Sequence, residues 1–124
     1  MNEEKKARDI RERAFEYALR AIKLYQFLPE GKDGAGWILS KQYLRSATSI
    51  GANIEEAQSG QSKADFIHKM SIAQKEARES LYWLRLLAKS GILSTNRLES
   101  LIQETEELIA VITSIIRKTK QNNS

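Results

Sequence analysis

"RSATSIGANIEEAQSG", residues Arg45 to Gly60, decides how this chain is read. Its apolar residues recur at helical spacing, yet its middle is Ser46, Ala47, Thr48, Ser49, Gly51 and Ala52. Glycine inside a helix costs about 1 kcal/mol relative to alanine. A helix rich in small residues lets a neighbouring backbone or a bulky side chain come close. Stepping about 100° per residue from Ala47 gathers Tyr43, Leu44, Gly51 and Ile54 on one face. Ser46, Ile50, Asn53 and Ala57 form a second stripe beside it, and Lys41, Arg45, Glu55 and Glu56 hold the opposite side. The arc of apolar and small residues covers about half the helix, wider than the stripe of a one-sided surface helix.

Three further segments show the same period. Working outward, the predicted helices are 4–28, 37–59, 63–90 and 95–118. The first stops at Pro29, because the residue before a proline is steered away from helical geometry. "PEGKDGAG", Pro29 to Gly36, is a Gly-rich loop. Gly60 ends the second helix. Ser62 opens the third with Asp65 three residues on, a capping box with Asp in place of Glu. Gly91 is the expected C′ residue of the third helix. The fourth presents Leu98, Leu101, Ile102, Leu108, Ile109, Ile112, Ile115 and Ile116 on one face. Short connections force neighbouring helices to run antiparallel. The expected fold is all-α, an antiparallel up-down-up-down four-helix bundle, with 1–124 as one domain.

Composition agrees. The 124 residues are 41% hydrophobic and 29% charged, with one Pro and six Gly, too few turn residues for a β protein. There is no Cys, which excludes disulfides and thiolate metal sites. The start, "MNEEKKARDI", has no apolar core and does not read as a secretory signal. "LIAVITSII" is too short to cross a bilayer. A cytoplasmic protein without membrane contact is the expectation. The net charge is +4 and the pI near 9.4, which suits an acidic partner without demanding one.

The third helix carries two apolar sets. Phe66, Met70, Ala73, Ala77, Leu81, Leu84 and Ala88 form the core stripe, while Ile72, Trp83 and Leu86 lie well away from it, with Glu76 and Glu79 beside them. A second stripe bearing Trp suggests a second copy of the chain. The expected self-association surface is Ser46, Ile50, Asn53, Ile72, Glu76, Glu79, Trp83 and Leu86. Outside both stripes, Lys75, Arg78, Tyr82, Arg85 and Lys89 share an arc of about 80°, and Lys41 and Arg45 add positive charge on the second helix. Cations with an interleaved Tyr suit a phosphate backbone and one stacked base; a solvated helix face has the same composition. Glu99, Glu104, Glu106 and Glu107 on the fourth helix would weaken the field if they lay beside it.

No set of residues points to catalysis. A carboxylate-bridged metal pair in a bundle needs two Glu-x-x-His motifs, and this chain has one histidine, His68. No cofactor, no metal and no enzyme activity are expected.

"LSKQYLRSATSIGANIEEAQSGQSKADFIHKMSIAQKEARESLYWLRLL", Leu39 to Leu87, resembles the bacterial four-helix-bundle proteins named after 23S rRNA intervening sequences. The family's Q-L-R-x-A-x-S-I-x-x-N-I-x-E core corresponds to Gln42, Leu44, Arg45, Ala47, Ser49, Ile50, Asn53, Ile54 and Glu56, with Tyr43 standing between Gln42 and Leu44. Ser62, Asp65 and Phe66 match the following S-x-x-[DE]-F entry to the third helix. Ile72, Ala73, Glu76, Ala77 and Glu79 match I-A-x-x-E-A-x-E. The resemblance implies a homopentamer. It also implies kinship with the accessory proteins of diversity-generating retroelements, which associate with a reverse transcriptase and with nucleic acid, RNA or DNA, through a basic surface. A non-enzymatic accessory or scaffold protein is therefore the first functional expectation. A module that docks another protein, without nucleic acid, is the second.

Overall fold

In the computed structural model, residues 3–28 and 34–122 are described, with side chains for all of these except 3–9 and 97. Four helices follow one another: α1 (Glu3–Gln26), α2 (Gly34–Gln58), α3 (Lys63–Lys89) and α4 (Thr95–Gln121). Each packs on the next and α1 closes on α4, while among the described residues the backbones of diagonal helices do not approach closely. The arrangement is a square.

Cross-helix pairs fix the directions. Arg11 meets Glu55 and Tyr17 meets Tyr43, so α1 and α2 are antiparallel. Lys69 meets Glu56 and Ser80 meets Ser46 across α2 and α3. Arg13 meets Glu104 and Glu107, and Arg20 meets Ser100, across α1 and α4. The bundle runs up, down, up and down.

The helix ends follow the local chemistry read from the sequence. Ser62 has extended backbone angles and its hydroxyl accepts from the Asp65 N–H at 3.1 Å. Gly91 sits at φ +78°, a conformation that strains any residue with a Cβ. Its N–H donates to the Ala88 carbonyl at 3.2 Å. The expected loop Pro29–Gly36 differs: 29–33 lie outside the described residues, and Gly34, Ala35 and Gly36 already belong to α2. Gly36 is there because α2 begins against the α3–α4 connection. A Cβ at that position would stand 3.0 Å from Ile92 Cγ2.

The core runs the length of the square, from Ile10, Ala14 and Tyr17 through Ile50, Ile54, Met70 and Leu84 to Leu108 and Ile112, all essentially without exposure. A buried polar line crosses it. Thr105 donates to the Leu101 carbonyl at 2.6 Å, Tyr17 donates to Thr105 at 2.5 Å, and Tyr43 donates to Tyr17 at 2.9 Å. Each hydroxyl hydrogen is used once, which satisfies three groups in an apolar interior. Burial pushes the Tyr17 phenol up to about 12 and raises Tyr43 further, because neither can ionise without losing solvation.

Three hydroxyls of α2 are satisfied inside the helix, whereas the buried Ser40 hydroxyl has no partner among the described residues. Ser49 donates to the Arg45 carbonyl, Thr48 to Leu44, and Ser46 to Tyr43. Folded back on their own turns, they add little bulk and expose no unpaired donor.

Candidate nucleic-acid interface

α3 stands across α2 on one side and α4 on the other, which leaves its outer surface free. The core stripe expected for this helix faces inward: Met70, Ala73, Ala77 and Leu84 are fully buried. That orientation turns Lys75, Arg78, Tyr82, Arg85 and Lys89 outward together, and all five are exposed. Tyr82 is 56% exposed and meets the Trp83 ring edge-on at 5.3 Å. Among the described residues, none of the four cations in this stripe is in an ion pair.

Two of the four acidic residues of α4 are turned away from the stripe. Arg13 of α1 binds Glu104 through two nitrogens, at 3.0 and 3.2 Å, and reaches Glu107 at 2.9 Å. Both carboxylates are thus drawn to the α1 side of α4, away from α3. Glu99 and Glu106 remain exposed.

Lys41 and Arg45 do not join the stripe. Both lie on the outer surface of α2, across the α2–α3 seam. Arg45 is already engaged: it pairs with Glu79, lies 3.6 Å from Glu76 and donates to Gln42. Its charge answers carboxylates of its own chain. Lys41 is exposed.

The expected self-association set divides as well. Ser46 and Ile50 are completely buried within one chain, so they have no surface to offer a second. The Ser46 hydroxyl meets Ser80 at 2.8 Å in the α2–α3 seam. The reason is geometric: a helix in a square bundle packs on two neighbours and needs a wide apolar arc for its own chain alone. Asn53 turns its amide back to the Ser49 carbonyl at 2.9 Å. Glu76 is nearly buried beside Arg45. Glu79 is half-buried and also accepts the Trp83 indole N–H at 3.1 Å. Trp83 packs partly on the core, whereas Ile72 and Leu86 are half-buried away from it.

Sequence periodicity missed one surface. Phe15 is 64% exposed on α1, and Leu19 and Ile22 accompany it along the same face. The three residues recur at 4-3 spacing about 130° around the helix from the buried Ala14–Tyr17–Ala21 line, a signal that a count of two apolar sets on α1 would have found.

The 23S rRNA-intervening sequence protein model matches residues 6–114, most of the chain. The chain belongs to that family. A solved structure from Bacteroides thetaiotaomicron VPI-5482, described as a protein with unknown function from the S23 ribosomal protein family, is 43% identical. It superposes with a TM-score of 0.83, covering 90% of this chain and 98% of that one. No curated protein matches this chain. The family resemblance read from Leu39 to Leu87 therefore extends into all four helices, and the fold is shared with an experimental structure. Neither description names an activity. Among the described residues, no helix is long and apolar enough to cross a membrane.

Proposed function

We propose that this member of the intervening-sequence protein family is a non-enzymatic, cytoplasmic, homo-oligomeric accessory protein that holds nucleic acid on the outer surface of α3. One observation carries the reading: four cations and a tyrosine are exposed together, without ion pairs among the described residues, while Glu104 and Glu107 are held on the far side of α4 by Arg13. Spaced along about 20 Å of helix at 1.5 Å per residue, such cations match a phosphate backbone, and an exposed Tyr offers a flat face to one base. Repetition by an oligomer, a pentamer in the reading the resemblance suggests, multiplies a modest stripe into a strong field.

The test is a mobility shift of labelled single-stranded and duplex RNA and DNA across a salt series. Binding that weakens steeply with salt, and that Arg78→Glu or Arg85→Glu weakens without loss of helix content, supports the proposal. No shift at low salt refutes it. A salt-insensitive capture of one protein, such as a reverse transcriptase, would instead support a docking module.

A further inference from the structure

The basic stripe of α3 has an aromatic ring at its middle, and the side chains that hold this ring are themselves fixed. Lys75 and Arg78 stand on one side of Tyr82 along the helix, Arg85 and Lys89 on the other, all within about 11 Å at 1.5 Å per residue. Tyr82 is 56% exposed and leans on Trp83, with ring centroids 5.3 Å apart and planes at 68°. Trp83 is half-buried and packs partly on the core. Its indole N–H donates to Glu79 Oε2 at 3.1 Å. Glu79 is ion-paired with Arg45 of α2, which also donates to Gln42 at 3.3 Å and lies 3.6 Å from Glu76. A relay of three side chains, Arg45, Glu79 and Trp83, thus runs from α2 to the Tyr82 ring.

Cations alone favour a duplex, whose phosphates are the more densely spaced. An exposed aromatic ring acts the other way. In a duplex the base faces are stacked on one another and closed to a side chain, whereas an unpaired strand can turn a base onto the ring. A ring already held in place loses little freedom when a base stacks on it. Arg45, Glu79 and Tyr82 take no part in the hydrophobic core. The effect of the relay is therefore on the position of the two rings at the surface.

We propose that Tyr82, held by the Arg45–Glu79–Trp83 relay, is a stacking platform, and that the outer surface of α3 selects unpaired strands of RNA or DNA over duplexes. This names the substrate of the surface proposed above and rests on that reading. The four cations hold phosphates on either side of Tyr82, and Tyr82 takes one base between them. Arg45, Glu79 and Trp83 are positioning residues. Arg45 thus acts on the stripe through Glu79 rather than by meeting a phosphate.

Fluorescence anisotropy tests the proposal with labelled single strands of RNA and of DNA, each measured beside the duplex it forms with its complement at the same low salt. The wild type should bind at least one strand more tightly than its duplex, and which strand tells RNA from DNA. Tyr82→Ser should weaken single-strand binding about tenfold and leave duplex binding unchanged, while Tyr82→Phe keeps the preference. Glu79→Ala removes a carboxylate beside the stripe, so it should not weaken duplex binding, yet it should weaken single-strand binding by releasing Trp83. A variant that had merely lost its fold would lose both, and circular dichroism checks helix content. Duplexes bound as tightly as strands, or a Tyr82→Ser that weakens both alike, overturn the choice of unpaired strands and leave the basic surface standing. A Glu79→Ala that keeps the wild-type preference overturns the relay. No binding of any probe removes this inference and the proposed function together.

Discussion

The two seams of α2 use the same small-residue helix to opposite ends. Against α3 the seam is closed. Ser46 and Ser80 share a hydrogen bond, Ile50 is without exposure, and Ala73 and Ala77 complete a continuous interior. Against α1 the seam is open. A Cβ placed on Gly51 would meet Ala14 Cβ at 3.5 Å and the Ala14 backbone at 3.6 Å, ordinary van der Waals contact. Beyond it lie a groove and the exposed Phe15. Small residues therefore do not announce one purpose. In the first seam they allow two helices to lock; in the second they leave a recess.

Substitutions that separate the seams have ordered outcomes. The largest effect is expected from Ser46→Leu, which forces a bulky side chain into the closed seam and removes a partner of Ser80. Denaturant unfolding should show a loss of about 1–3 kcal/mol or more. Thr105→Val leaves the buried Tyr17 hydroxyl without its acceptor and should cost about 1–3 kcal/mol. Gly51→Ala, in the open seam, should stabilise by up to about 1 kcal/mol, since helix propensity improves and the new methyl fits. A loss of stability there would show that the recess is tighter than it stands in the isolated chain.

Two pH effects act across the α1–α2 seam, one at its buried side and one at its solvated side. Tyr17 and Tyr43 hold their protons more tightly folded than unfolded. Their contribution is complete below the ordinary phenol value near 10 and fades as pH rises above it, by about 1.4 kcal/mol per pH unit for each Tyr until its folded value is reached. Tyr43→Phe should flatten that alkaline loss in a circular-dichroism titration. At the open seam, the hydrogen bond from Arg11 holds Glu55 below the usual carboxylate range. That pair contributes above the unfolded Glu value and is lost as pH falls through the folded one. Both partners are solvated, so Arg11→Ala should produce the smallest change in acid stability of the set.

How much of this was legible follows from the same physics. Four helices, their order and the cap at Ser62 are local matters of period and end chemistry, and they stood in the sequence. The basic stripe was legible because five residues on one helix keep their relative directions wherever the helix packs. The partners of Arg45 and Arg13 were not, because each is set by contacts across helices that no local spacing encodes. Ser46 and Ile50 misled for a related reason: periodicity shows that a residue is apolar-facing, not whether the neighbour it faces is in its own chain. The exposed row on α1 was hidden by its mixture with Glu12, Glu16 and Arg20.

The most direct test of the functional account compares salt dependence rather than affinity. The slope of log binding constant against log salt should be steep for the wild type and shallower for Arg78→Ala, Arg85→Ala, by about 0.7 per lost phosphate contact on single strands or about 0.9 on duplex. Equal slopes for wild type and variant would contradict the assignment of nucleic acid to the outer surface of α3.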